Sequence, residues 1–106
     1  MPSNNTLTGK NMFATQLQNR REEILMIAAK YGATNVHVFG SVARNEERED
    51  SDIDLLVEFE VGRSLMDHAG LMLELESLLG RRVDIGTPQG LRSPYRERIL
   101  AEAIPL

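Results

Sequence analysis

The chain of 106 residues contains no cysteine, so neither a disulfide framework nor a thiolate metal site is open to it, and a reducing compartment suits it. Basic residues are in the minority, 12 Lys and Arg against 16 Asp and Glu, and they form no sustained stripe. That argues against a module that grips duplex nucleic acid by neutralising many phosphates, and makes nucleic acid an unlikely direct partner. No apolar run approaches the roughly 18 to 20 residues that span a bilayer, and the N-terminus lacks the basic segment followed by an apolar one that marks a signal peptide. A cytoplasmic protein is expected. The length suits one domain with one core and leaves no room for a second lobe, so part of any large ligand's binding surface has to come from another molecule.

What is present is a regular alternation of helical and strand patterns. Residues 1–14 open with the polar, aperiodic MPSNNTLTGKNM and read as a flexible tail, with Met12 as a possible internal start; residues 15–106 read as the domain. Leu17, Ile24, Leu25, Ala28 and Tyr31 recur at helical spacing and Gly32 follows as a C-terminal stop. Residues 35–39 (NVHVF) form a β-rich run ending at the Gly40-Ser41 turn, which leads into a short helix. Ile53, Leu55, Val57 and Phe59 alternate with polar neighbours over most of a second strand. Ser64 and Asp67 have the spacing of a capping box for a helix carrying Leu65, Ala69, Met72, Leu75 and Leu79 up to Gly80. Residues 82–86 (RVDIG) give a third strand. Ser93 and Pro94 supply an N-cap and first-turn proline for a last helix with Tyr95, Ile99, Leu100 and Ala103 inward.

The chemistry lies at two places. Asp52 and Asp54, two residues apart on a strand, project from one face, where their mutual repulsion calls for a cation; Mg²⁺ accepts one or two carboxylates and completes its shell with water and phosphate oxygens. A bare pair of this kind is also what an ordinary surface strand end looks like. Asp84 alternates with Val83 and Ile85 and joins the pair if the strands are neighbours, giving three carboxylates suited to a two-metal site. Gly40 and Ser41 form the second place: glycine admits a ligand close to the backbone, and free N–H groups at the helix start, with the serine hydroxyl, make an anion seat that Arg44 can reach with its planar fork. Arg44 is equally at home as a solvated helix-surface residue.

Together the string GSVARNEEREDSDIDLLVEF resembles the signature of the polymerase-β-like nucleotidyltransferase superfamily, and within it the minimal nucleotidyltransferase (MNT) domains. The resemblance runs from about Leu17 to Leu106. It implies an α+β fold, a small mixed β-sheet with helices packed mainly on one face. It assigns Gly40 and Ser41 to phosphate binding, Asp52 and Asp54 to metal binding, and Asp84 to the third acid; all three acids are present. The acidic spacer with Glu46, Glu47, Glu49 and Asp50 reads as a solvated loop. The family resemblance further implies a Mg²⁺-dependent enzyme that uses ATP to transfer AMP, with release of pyrophosphate, to a tyrosine of a helical HEPN RNase toxin. Such a protein acts as antitoxin of a type VII-like toxin–antitoxin module and forms a hetero-oligomer with its toxin. Two alternatives stay open: an antitoxin that neutralises by binding alone, and a nucleotidyltransferase acting on a small molecule or an RNA end. Leu71, Leu78 and residues 104–106 (IPL) are extra apolar positions that suit either the core or a partner. His37 alternates with Val36 and Val38 toward the face of the carboxylates, where an isolated strand histidine is ordinarily structural; His68 reads as solvent-facing.

Overall fold

The structure is a computed structural model describing residues 12–43, 52–91 and 94–106; Arg44, the acidic spacer, Ser93 and the first eleven residues lie outside the described residues. Helices α1 (Met12–Asn19) and α2 (Arg21–Lys30) lead into strand β1 (Ala33–Phe39) and the helical turn α3 (Gly40–Ala43). Strand β2 (Ile53–Phe59), helix α4 (Leu65–Leu79) and strand β3 (Val83–Gly86) follow, then a short 3₁₀ turn (Pro88–Gly90), helix α5 (Tyr95–Glu102) and strand β4 (Ile104–Pro105). The sheet runs β3-β2-β1-β4, with β2 and β3 parallel and the other pairs antiparallel, so the α+β expectation of a small mixed sheet holds.

Alternation decides which face of the sheet is covered. Ile53, Leu55 and Val57 on β2, Val83 and Ile85 on β3, and Val36 and Val38 on β1 are buried in one cluster with Leu17, Ile24 and Ala28 of the first two helices and Leu71 and Leu75 of α4. Val42 of α3 is fully buried in the same cluster, which pins the turn after β1 to the core. The opposite face of the sheet holds the intervening residues of the strands and is covered only in part, by α5 and the 3₁₀ turn.

Several elements differ from the pattern expected from sequence. The first helix is two: Arg20 breaks it, its N–H bonding back to Gln16 and Leu17 at 3.2 and 3.1 Å. Leu17 and Ile24 are seven residues apart and stay nearly in phase across the break, so periodicity could not register it. Helix α1 also begins at Met12, inside the segment read as tail. In α4 the capping box forms as expected: the Met66 N–H donates to Ser64 Oγ at 3.2 Å and the Ser64 N–H to Asp67 Oδ2 at 3.0 Å. Gly80 ends the helix in the left-handed conformation. The buried stripe, however, is centred on Leu71 and Leu75, while Leu65 is exposed, because the capping turn faces solvent. Leu71 is therefore core, and half-buried Leu78 packs against it.

Helix α5 begins at Tyr95 with Pro94 as its N-cap, and Tyr95 and Leu100, expected inward, are exposed. The C-terminus adds an edge strand that periodicity could not reveal: Ile104 pairs with Val38, Pro105 with His37, and the Leu106 N–H donates to the Val36 carbonyl at 2.9 Å. A proline is tolerated there because its missing donor faces the open edge. His68 is not solvent-facing; its ring stacks on Phe59 with centroids 5.5 Å apart.

A polar clasp ties α2 to α4. Lys30 Nζ and Tyr31 Oη both donate to Glu74 Oε1, at 2.6 and 2.5 Å. The Lys30 ammonium, helped by the tyrosine hydroxyl, holds the Glu74 carboxyl below the usual carboxylate range, and Glu74 in turn raises both donors. The Tyr31 ring presses on Gly70, where a Cβ would come within 2.5 Å of its Cε1.

Leu71→Ala should cost about 2–5 kcal/mol in urea unfolding, whereas Leu73→Ala, on the exposed side of the same helix at 60% exposure, should stay within about 0.5 kcal/mol. A lowered carboxylate pKa contributes stability above the unfolded glutamate value of about 4.3, and this is lost as pH falls through the folded value. Glu74→Gln should therefore flatten the acid-side loss of stability below about pH 4.3; an unchanged slope would remove the clasp from the account.

Candidate active site

Three strands meet at the site through their register. Asp54 on β2 lies directly opposite Phe39, the last residue of β1, and directly beside Asp84 on β3. Partners in register share a face, so the Asp54 and Asp84 carboxylates stand on the side of the sheet away from the core, while Ile53 with Val83 and Leu55 with Ile85 form the apolar seam beneath them. The seam aligns the two acids: a one-residue slip of either strand would turn its carboxylate into the core. On the outer side of β3 the Glu76 carboxylate of α4 accepts the Val83 N–H at 3.0 Å, fixing the start of the strand that carries Asp84.

Gly40 follows Phe39 with φ +74°, a left-handed backbone that glycine adopts without strain. A Cβ there would overlap the Asp54 carboxylate, whose Cγ would lie only 3.1 Å from it. The turn and the acid are thus in direct contact, which joins the two halves of the motif. Ser41 is the second residue of α3, next to the buried Val42. Arg44 lies outside the described residues.

Asp52 sits one residue ahead of β2, with its carboxylate against the Arg82 guanidinium, Asp52 Oδ1 to Arg82 Nε 3.3 Å. Arg82 was missed from sequence, yet a signal existed: each residue precedes a member of the Ile53 and Val83 pair, and the Ile53 N–H donates to the Arg82 carbonyl at 2.8 Å. Of the expected carboxylates, the structure pairs Asp54 with Asp84 in register and places Asp52 against the Arg82 guanidinium. Among the described residues no group of three or more His, Asp or Glu side chains is drawn close enough to hold a metal ion.

The closeness of Gly40 to Asp54 makes it testable. Gly40→Ala should destabilise the protein by more than about 1 kcal/mol in denaturant unfolding, since alanine strains at this φ and meets the carboxylate. Gly62→Ala serves as control, having the same sign of φ and nothing within 4 Å of its Cβ, and should cost less.

Residues 21–106 match the family described as Nucleotidyltransferase domain. A Methanocaldococcus jannaschii protein assigned as a protein adenylyltransferase is 45% identical over 84 residues, which cover 79% of this chain and 90% of that one. The protein adenylyltransferase MntA of Thermococcus cleftensis is 41% identical over 75 residues, covering 71% of this chain and 76% of the relative. Among solved structures, a minimal nucleotidyltransferase superposes with a TM-score of 0.78 at 60% identity, covering 87% of this chain and 94% of the other. A toxin–antitoxin complex crystallised with AMP-PNP has the same fold, with a TM-score of 0.67 at 17% identity over 79% of this chain and 69% of the other. The chain belongs to the nucleotidyltransferase domain family, in its minimal, polymerase-β-like branch.

Proposed function

We propose that this protein is a protein adenylyltransferase that moves AMP from ATP to a hydroxyl of a partner protein, and that it acts as the antitoxin of a toxin–antitoxin pair whose toxin, a helical HEPN RNase, offers a tyrosine. The observation that carries the reading is the register of Asp54 beside Asp84 with Gly40 against Asp54. Support for the acceptor class comes from the relatives named protein adenylyltransferase, and for nucleotide and toxin from the shared fold of the complex crystallised with AMP-PNP. The small size of the domain agrees with an acceptor supplied by another chain.

The donor set suits a hard divalent cation: Asp54 and Asp84 stand side by side in register on one face, and the missing side chain of Gly40 makes room for the Asp54 carboxylate. Asp54 and Asp84, with Asp52 released from Arg82, would hold Mg²⁺. When bound, the metal neutralises phosphate charge and makes the acceptor hydroxyl more acidic. The Gly40-Ser41 turn, and Arg44 beyond it, would receive the terminal phosphates, whose charge the backbone N–H groups there can meet. The acceptor oxygen then attacks the α-phosphorus in line, a new O–P bond forms, the bond to the bridging oxygen breaks, and pyrophosphate leaves with its electron pair. The acceptor's proton passes to an Asp84 carboxylate oxygen. Arg82 stabilises the site between turnovers by offsetting the repulsion of Asp52 with its neighbours.

The test is labelling with α-labelled ATP, Mg²⁺ and a lysate of the cells that encode the chain. One protein band should become labelled, and Asp54→Asn or Asp84→Asn should lower labelling at least about a hundredfold while leaving unfolding in the absence of Mg²⁺ unchanged or shifted to higher stability. Toxin neutralisation that survives Asp54→Asn in full would instead favour an antitoxin that works by binding alone.

A further inference from the structure

The face of the sheet that carries the acids continues past them as a second row. Phe39, Asp54 and Asp84 form the first row, and His37, Leu56 and Gly86 the next, with Glu58 two residues beyond Leu56 on the same face of β2. Over this second row lies a cavity of about 80 Å³. Leu56 from the sheet, Pro88 from the 3₁₀ turn, and Leu100 and Ala103 from α5 give it apolar walls; Asn35, His37 and Glu58 make one end polar.

That polar end is built with care. The ladder between β1 and β2 shifts register between Thr34 and His37, and Asn35 there has φ +52°, the one positive value among the described residues other than glycine. Strain and bulges of this kind persist where they aim side chains. The Asn35 carbonyl lies 2.9 Å from His37 Nδ1, and the Asn35 amide Nδ2 donates to Glu58 Oε2 at 3.3 Å. A carbonyl can only accept, so the neutral imidazole carries its proton on Nδ1 and keeps Nε2 as an acceptor. The cavity therefore offers two acceptors, His37 Nε2 and the Glu58 carboxylate, at the end of an apolar slot.

We propose that this cavity is the base-edge subsite of the nucleotide, in which His37 and Glu58 accept hydrogen bonds from the exocyclic amine of adenine while Leu56 and Leu100 contact the ring. The inference rests on the reading of Asp54 and Asp84 as the site of the α-phosphate. Glu58 is four residues from Asp54, about 13 Å along the strand at roughly 3.3 Å per residue, the scale separating an α-phosphate from the amine of an extended adenosine nucleotide. Gly40 lies on the other side of Asp54, so phosphates and base run in one line across the face. The volume is under three times a water's share of about 30 Å³, enough for the amino edge of one ring. The remainder of the base has room over Gly86, where a Cβ would meet only Leu56 Cδ1, at 3.9 Å. An acceptor phenol fits less well: its hydroxyl belongs at the carboxylates, and its ring would offer no donor to His37 Nε2 and none to Glu58 beyond the Asn35 amide.

The test measures dissociation constants by calorimetry, with Mg²⁺, for ATP and for purine riboside triphosphate, which lacks the amine. Wild-type protein should bind ATP about tenfold more tightly or better. Glu58→Ala should bring the ratio near one by weakening ATP alone, and Leu100→Trp, which fills the cavity from the opposite wall, should also erase the preference; thermal melts check that both fold. Equal binding of the two nucleotides by wild type, or a ratio unchanged in both variants, overturns the subsite and leaves the triphosphate site standing. If wild type binds neither nucleotide, the subsite falls together with the proposed function.

Discussion

Everything at the functional face depends on the pairing of β2 with β3. The apolar seam of Ile53 with Val83 and Leu55 with Ile85 draws the two strands into parallel register, because any other alignment would expose part of the seam or bury a carboxylate. Two acids that repel each other are thereby held side by side by hydrophobic burial on the reverse side of the same strands. Parallel strands require a crossover, and α4 supplies it, with Leu71 and Leu75 covering the seam and Glu76 holding the first N–H of β3. The core and the acid pair are two faces of one construction.

The turn after β1 is anchored in the same way. Val42 is buried, Gly40 adopts a conformation that glycine tolerates, and the absence of a Cβ lets the turn close onto Asp54. Helices crowd the opposite face, leaving the acid face under a light cover of α5 and the 3₁₀ turn. Such a division leaves the acid face open to solvent while a small domain still buries a continuous core. The described helices include none long and apolar enough to cross a membrane.

Much of this was legible in the sequence because strand alternation is a local property. Ile53, Leu55 and Val57 on one side imply Asp54 on the other, and Val83 with Ile85 imply the same for Asp84, whatever the remainder of the chain does. The capping box at Ser64 and the stops at Gly32 and Gly80 are equally local, and the chain's membership in the nucleotidyltransferase family follows from a motif carried in one continuous stretch. Less legible were the rotation of α4, the exposure of Tyr95 and Leu100, and the break at Arg20, since each depends on which neighbour a helix meets.

The sequence by itself determined the face on which each acid stands, because a pleated strand turns successive side chains to opposite sides. Only the tertiary structure decided that Asp84 would be the neighbour of Asp54, that Arg82 would hold Asp52, and that the bulge at Asn35 would set His37 and Glu58 around a cavity beside the acids. These relations join residues 30 positions apart, as in both Asp54 with Asp84 and Asp52 with Arg82, or depend on a shift in register, and a long-range pairing leaves no mark in the local pattern of either partner.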